Sequence, residues 1–325
     1  MNTFGRIFKI SIFGESHGKS VGVTIDGCPP GIGLKEDDFL DDLARRRSGA
    51  KGTTPRKERD LPEIISGVFE GKATGAPITV LFKNENTRSK DYSQLKVLPR
   101  PGHADFVAVK KYKGFSDYRG GGHFSGRLTL ALVAAGVVAK KITEPVKINA
   151  KLIEAGGSEN IEEAVDTALK NYNSIGGIVD CRAQNIPVGW GEPFFDSAES
   201  IISHLVFSVP AIKGIEFGAG FAAAKMTGKE HNDDIIDVSG KTRTNNAGGI
   251  NGGITNGNDI YFKVAVKPTA SISIAQDTVN LETGKPVNLE VKGRHDACIA
   301  LRVPVVIEAV TAIALADLML LDKAY

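Results

Sequence analysis

Cysteine is scarce in this 325-residue chain. The three present (Cys28, Cys181 and Cys298) are odd in number, far apart and without metal-ligand spacing. That excludes a disulfide framework and argues for reduced thiols in a cytoplasmic protein. No segment approaches the ~18 consecutive apolar residues of a membrane span, and the charge-interrupted N-terminus MNTFGRIFKISIFGESHG is not a secretory leader. Net charge is only +2, so the global field that marks nucleic-acid binders is missing. A Rossmann fingerprint, a P-loop and a metal-ligand cluster are also missing, and no metal is expected. Nor is there a composition break to serve as a linker, so residues 1–325 read as one compact domain.

What remains is an ordinary globular composition, 42% hydrophobic and 24% charged, with an excess of glycine (37 residues) that clusters. Phe8, Ile10 and Ile12 alternate with polar residues, as do Val21, Val23 and Ile25, predicting two strands around GESHG. A helix is expected from Glu36, with acids in its first turn and Arg45–Arg46–Arg47 at its end. Further strands are expected at Glu63–Phe69, Ile78–Phe82, Ile175–Cys181 and Ile260–Val266. Helices are expected at Gly126–Ile142, Ile161–Asn171, Ser197–Phe207 and Val305–Leu321. Without a regular βαβ alternation the fold class is α+β. VFEGKATGAPITVLF and GGITNGNDIYFKVAV are loosely alike in layout, which suggests an internal duplication.

Chemistry concentrates between Arg100 and Thr129. Arg100 and His103 share a Pro-Gly turn, and Gly120–Gly121–Gly122 leads through Ser125 and Arg127 into the long apolar helix. Backbone amides at glycines and helix starts favour anions, arginine forks hold phosphate or carboxylate, and an imidazole can move a proton near neutral pH. This pattern points to an enzyme site for a small polyanion. Ser16–His17, taken alone, is more simply a turn histidine. Arg294–His295–Asp296 is more simply a local ion pair, and the arginine run is more simply a solvated helix end. Lys51, Arg56 and Lys57 extend that run, making an anion gate equally reasonable.

Taken together, GESHG with DGCPPG, the RRR helix end, SGVFEGKATGAPI, SKDYS, RPGHAD, DYRGGG–SGR, NAGGINGG, KPTAS and GRHD occur in an order that resembles the chorismate synthase family along nearly the whole chain. The resemblance implies a sandwich of helices between antiparallel sheets, assembled as a homotetramer. It also implies 1,4-anti elimination of phosphate from 5-enolpyruvylshikimate 3-phosphate, with reduced FMN and no net redox change. By similarity Arg46, Arg47, Arg100, Arg127 and Lys51 would bind substrate, and Ser16 and Ser125 would assist at the site. His17 would act as general acid on the phosphate, His103 would protonate the flavin, and Asp296 would assist proton removal through flavin N5. Flavin contacts would come from His123, Phe124, Ser125, Pro210, Ala211, Gly252, Lys267, Pro268, Thr269, Ala270, Ser271 and Arg294.

The chain departs from the commonest family pattern in three places. His123-Phe124 replaces two polar residues after the glycines, Pro210 replaces a frequent asparagine, and Lys51 stands where a loop arginine is common. With no nucleotide fingerprint, reduction by an external flavin reductase is favoured over direct use of NADPH. The competing reading, a polyanion- or nucleic-acid-binding module built on the basic and glycine-rich loops, is weakened by the small net charge and the lack of aromatics among the basic stretches.

Overall fold

The structure, a computed structural model, describes residues 2–54, 58–86, 94–291 and 295–324. Its first half contains β1 (Thr3–Phe4), β2 (Lys9–Gly14), β3 (Ser20–Asp26), α1 (Leu40–Arg46), β4 (Glu63–Ser66), β5 (Val68–Phe69), β6 (Lys72–Ala73), β7 (Ile78–Lys83), α2 (Asp105–Lys111) and α3 (Thr129–Ile142). The second half contains β8 (Lys147–Ala155), α4 (Ile161–Lys170), β9 (Gly177–Gln184), α5 (Ala198–Ser208), β10 (Ile212–Phe217), α6 (Gly228–His231), β11 (Ile250–Asn251), β12 (Ile254–Thr255), β13 (Ile260–Val266), β14 (Gln276–Val279), β15 (Pro286–Leu289) and α7 (Pro304–Asp322).

Two antiparallel sheets, ordered β1-β2-β3-β7-β4 and β10-β13-β9-β8, enclose the apolar helices. Helix α3 lies on β2 and β3, α7 lies on β8 and β9, and the two helices pack on each other. This is the α+β sandwich expected from the sequence. Strand alternation explains each sheet's inner face: in β13, Ile260, Phe262, Val264 and Val266 are buried while Tyr261, Lys263 and Ala265 are half-buried. The two segments that look alike in sequence also behave alike. In each, a pair of two-residue strands (β5–β6, β11–β12) precedes a central strand of its sheet (β7, β13).

Some boundaries shift for local reasons. The helix expected from Gly126 begins as a 3-10 turn over Gly126–Leu128 and turns α-helical at Thr129. There the Gly126 carbonyl accepts hydrogen bonds from Thr129 Oγ1 (2.7 Å) and Arg46 Nη2 (3.0 Å). The strand expected over Glu63–Phe69 breaks at Gly67, whose φ of +82° suits glycine alone. The expected strand at Ile175–Cys181 lies at Gly177–Gln184.

Helix α7 is long and apolar enough to cross a membrane, yet most of it is buried in the protein core. Two of its three acids serve that core. Glu308 takes Arg45 bidentately (2.7 and 2.6 Å), Lys140 Nζ (3.1 Å) and the Ala150 amide (3.0 Å). Asp317 accepts from the amides of Arg6, Ile7 and Phe8, which satisfies the backbone leading into β2.

The α3–α7 crossing is close. A methyl group on Gly136 would lie 2.4 Å from Ala309 Cβ. Gly136→Ala should therefore cost about 1–3 kcal/mol by forcing the helices apart, read as a lowered urea midpoint. An unchanged midpoint would contradict the crossing.

Candidate active site

Where the N-terminal ends of α3 and α7 meet the loop after α1, the fold leaves a cavity of about 470 Å³. Its lining joins Ser16, Arg46, Arg47, Ser125 and Arg127 to Pro210, Thr269 and Asp296, segments distant in sequence, while His17 and His103 lie outside that lining. Val209, Ile299, Val303 and Val306 give it an apolar wall.

The basic side is organised on one carboxylate. Arg127 Nη1 lies 2.8 Å from Asp60 Oδ1, and Arg46 Nη1 lies 3.6 Å from Asp60 Oδ2, with all three side chains buried. Asp60 itself sits at a φ of +51°, which aspartate tolerates better than most residues. Arg46 spends its remaining donors on Thr129 Oγ1 (2.9 Å) and the Gly126 and Arg127 carbonyls, so it ties α1 to the start of α3. Burial, then the Arg302 and Arg127 charges, push its guanidinium down to about 9 against the pull of Asp60, and it remains protonated at neutral pH.

Arg127 Nε donates to Asn84 Oδ1, but its Nη2 is buried without a partner among the described residues, as is Arg47 Nε. Among the described residues the lining carries five arginines (46, 47, 59, 127 and 302) against Glu58, Asp60 and Asp296, and Arg59 pairs with Glu85 outside it, leaving one positive charge in excess. Such a wall selects anions.

The opposite rim is the glycine turn. Gly120, Gly121 and Gly122 all have positive φ, and Gly122 O accepts the Ser16 amide at 3.0 Å. A methyl on Gly120 would lie 2.5 Å from His17 Cδ2 and 2.8 Å from Ser16 Oγ; one on Gly121 would lie 3.5 Å from His103 Nε2. Adjacent glycines thus bring the two imidazoles to one turn. His103 Nδ1 is 2.6 Å from Asp105 Oδ1, and Arg100 grips Asp105 through Nε (2.7 Å) and Nη2 (2.8 Å) while donating to Ser271 Oγ (2.9 Å). Burial works against the Asp105 charge, yet the Arg100 and His103 bonds outweigh it and hold this carboxyl well below the usual range. Asp296 Oδ1 takes the Thr54 amide (3.0 Å) and Arg302 Nη1 (3.3 Å) at the cavity wall.

Other expected residues lie apart from the lining. Lys51 pairs with Asp166 (2.5 Å) instead of gating the cavity, because α4 brings a closer carboxylate. Arg100 spends its fork on Asp105 and Ser271. His123 is bound to Gly14 O (2.7 Å) and Asn2 Oδ1 (3.1 Å), and Phe124 packs on Tyr112. Lys267 donates to Gly102 O, and Ala270 approaches the same turn. Pro268 packs near Gly176, Ala211 accepts the Lys267 amide, and Gly252 forms the open β11–β12 turn. Arg294, Arg56 and Lys57 lie outside the described residues.

Sequence reasoning missed Asp60, Asn84 and Arg302. Arg302 carried a signal, a lone charge inside the apolar run leading into α7. Asp60 and Asn84 sit in polar loops and carried none.

The chain is similar to known proteins along nearly its whole length. A family model described as "Chorismate synthase" matches residues 8–320. The chain is 64% identical over 324 residues to the chorismate synthase of Chitinophaga pinensis (99% of this chain, 98% of that protein). It is 44% identical over 351 residues to that of Dehalococcoides mccartyi, covering 98% and 96%. A crystal structure of chorismate synthase superposes with a TM-score of 0.75 at 27% identity, over 98% of this chain and 93% of that one.

The Arg100–Asp105–His103 cluster makes a prediction about acid stability. A depressed carboxyl contributes stability that is fully present above the unfolded pKa of about 3.9 and fades as pH falls below it. Asp105→Asn should therefore destabilise by about 3 kcal/mol at pH 7, with the gap to wild type narrowing below about pH 4. A gap independent of pH in urea titrations would show that no charged carboxylate is at work there.

Proposed function

The chain belongs to the chorismate synthase family and converts 5-enolpyruvylshikimate 3-phosphate to chorismate and phosphate; we propose that this 1,4-anti elimination takes place in the arginine-lined cavity with reduced FMN as cofactor. The observation that carries the choice of site is Arg127, a lining residue whose buried Nη2 has no partner among the described residues, in a wall with an excess of positive charge. The substrate brings a phosphate and two carboxylates, the groups that such guanidinium donors recognise.

The residues also fit the flavin. An apolar wall for a flat ring, glycine-lined backbone and the unpartnered Thr269 Oγ1 and His295 Nε2 meet on one cavity. When bound, reduced FMN would supply electron density to the reacting ring with no net redox change. The chain's own groups do the rest. Arg127 and Arg47 hold the anionic ends, with the charge of Arg46 behind them. His17, pressed on Gly120 beside Ser16, gives a proton to the departing phosphate oxygen. His103, fixed by Asp105, holds a proton at the same turn, and Asp296 in the cavity lining assists removal of the one that leaves.

The chain acts as a single compact unit in the cytoplasm, consistent with three buried free thiols. It assembles as a homotetramer, which the exposed Phe194, Phe195 and Phe221 support as surface to be covered. An external flavin reductase keeps FMN reduced.

Anaerobic incubation of substrate with dithionite-reduced FMN should release phosphate and chorismate without oxidising the flavin, and oxidised FMN should give neither. Equal turnover with oxidised FMN would overturn the cofactor assignment. Arg127→Ala should raise the substrate KM about 10- to 100-fold, the worth of a charge-assisted hydrogen bond, and lowered ionic strength should not restore it. A KM within twofold of wild type would place the anion elsewhere.

A further inference from the structure

Next to Asp296 stands a histidine to which the family resemblance gives no role. His295 lines the cavity, and its Nε2 is buried with no hydrogen-bond partner among the described residues. The Val291 backbone favours a ring proton, and with Nε2 unpartnered we assign that proton to Nδ1. With the proton of the neutral ring fixed on Nδ1, the lone pair belongs to Nε2. The charges bearing on the ring are Arg100 and Asp296. Burial and then Arg100 lower its pKa, outweighing the Val291 bond and Asp296, so the imidazole is neutral at physiological pH.

The result is a hydrogen-bond acceptor in a wall crowded with donors. Arg46, Arg47, Arg127 and Arg302 line the same cavity, yet none donates to it. Neighbouring Asp296 has Oδ1 committed to Thr54 and Arg302. A buried acceptor left unpaired is a cost that a ligand N–H or O–H removes. Phosphate and carboxylate cannot do so, since both are acceptors at neutral pH.

We propose that His295 Nε2 accepts a hydrogen bond from an N–H or O–H group of the molecule bound in the cavity, fixing its orientation by its donor edge while the arginines hold its anionic ends. The inference rests on the assigned reaction, for which two donors are at hand: the ring N–H groups of reduced FMN and the substrate hydroxyl.

Two variants separate an acceptor from a space filler. His295→Phe keeps an aromatic ring and removes the acceptor; His295→Asn keeps an acceptor oxygen. Binding of dithionite-reduced FMN and of 5-enolpyruvylshikimate 3-phosphate would be measured separately by anaerobic calorimetry, with near-UV circular dichroism checking the fold. His295→Phe is expected to lose about tenfold in affinity for one of the two, and His295→Asn to recover most of it. A loss confined to FMN assigns the donor to the flavin ring, and one confined to substrate assigns it to the hydroxyl. Unchanged affinities in the folded Phe variant, or equal losses in both variants, would overturn the proposal. A wild-type protein that binds but does not turn over would contradict the assigned reaction while leaving the His295 comparison readable.

Discussion

One carboxylate, that of Asp60, is what makes the site possible. Two buried arginines so close to each other would repel strongly in a medium of low dielectric. Asp60 lies between them, 2.8 Å from one and 3.6 Å from the other, and brings the cluster to a tolerable net charge. It does not neutralise it. The remaining positive charge and the idle Nη2 of Arg127 are a standing cost of folding that a bound anion relieves. The depressed Arg46 pKa of about 9 is the same cost seen from the proton's side.

Holding that arrangement open requires rigid supports on every side. Arg46 is anchored to the first turn of α3, which is buried between α7 and the first sheet. Arg302, in the turn leading into α7, ties the Arg46 carbonyl (2.9 Å) to Asp296, so acid and base walls share one strut. The glycine turn does the converse work. With no side chains at Gly120 and Gly121, Ser16, His17 and His103 come within contact distance of one stretch of backbone. Preorganisation of this kind is how an enzyme avoids reorganising its dipoles during the reaction.

The sandwich was legible from the alternation in β2, β3 and β13 and the apolar stretches of α3 and α7, because burial on one face writes itself into sequence period. The cavity was legible in outline because arginines, histidines and clustered glycines have few uses in a core. What stayed hidden is partner choice. Nothing in the arginine run separates Arg45, which goes to Glu308 in the core, from Arg46 and Arg47, which go to the cavity. Lys51 looked like part of the anion wall until α4 placed Asp166 beside it. Those outcomes depend on which carboxylate the tertiary fold brings near, and loop acids such as Asp60 carry no periodicity to announce them.

The most direct measurement is a crystal structure of the protein with 5-enolpyruvylshikimate 3-phosphate and FMN bound. An oxygen of the substrate's phosphate or carboxylates should lie within hydrogen-bond distance of Arg127 Nη2, with the Asp60 bridge to Arg46 and Arg127 intact. A substrate seated away from Arg127, or an Asp60 bridge that breaks on binding, would contradict the account.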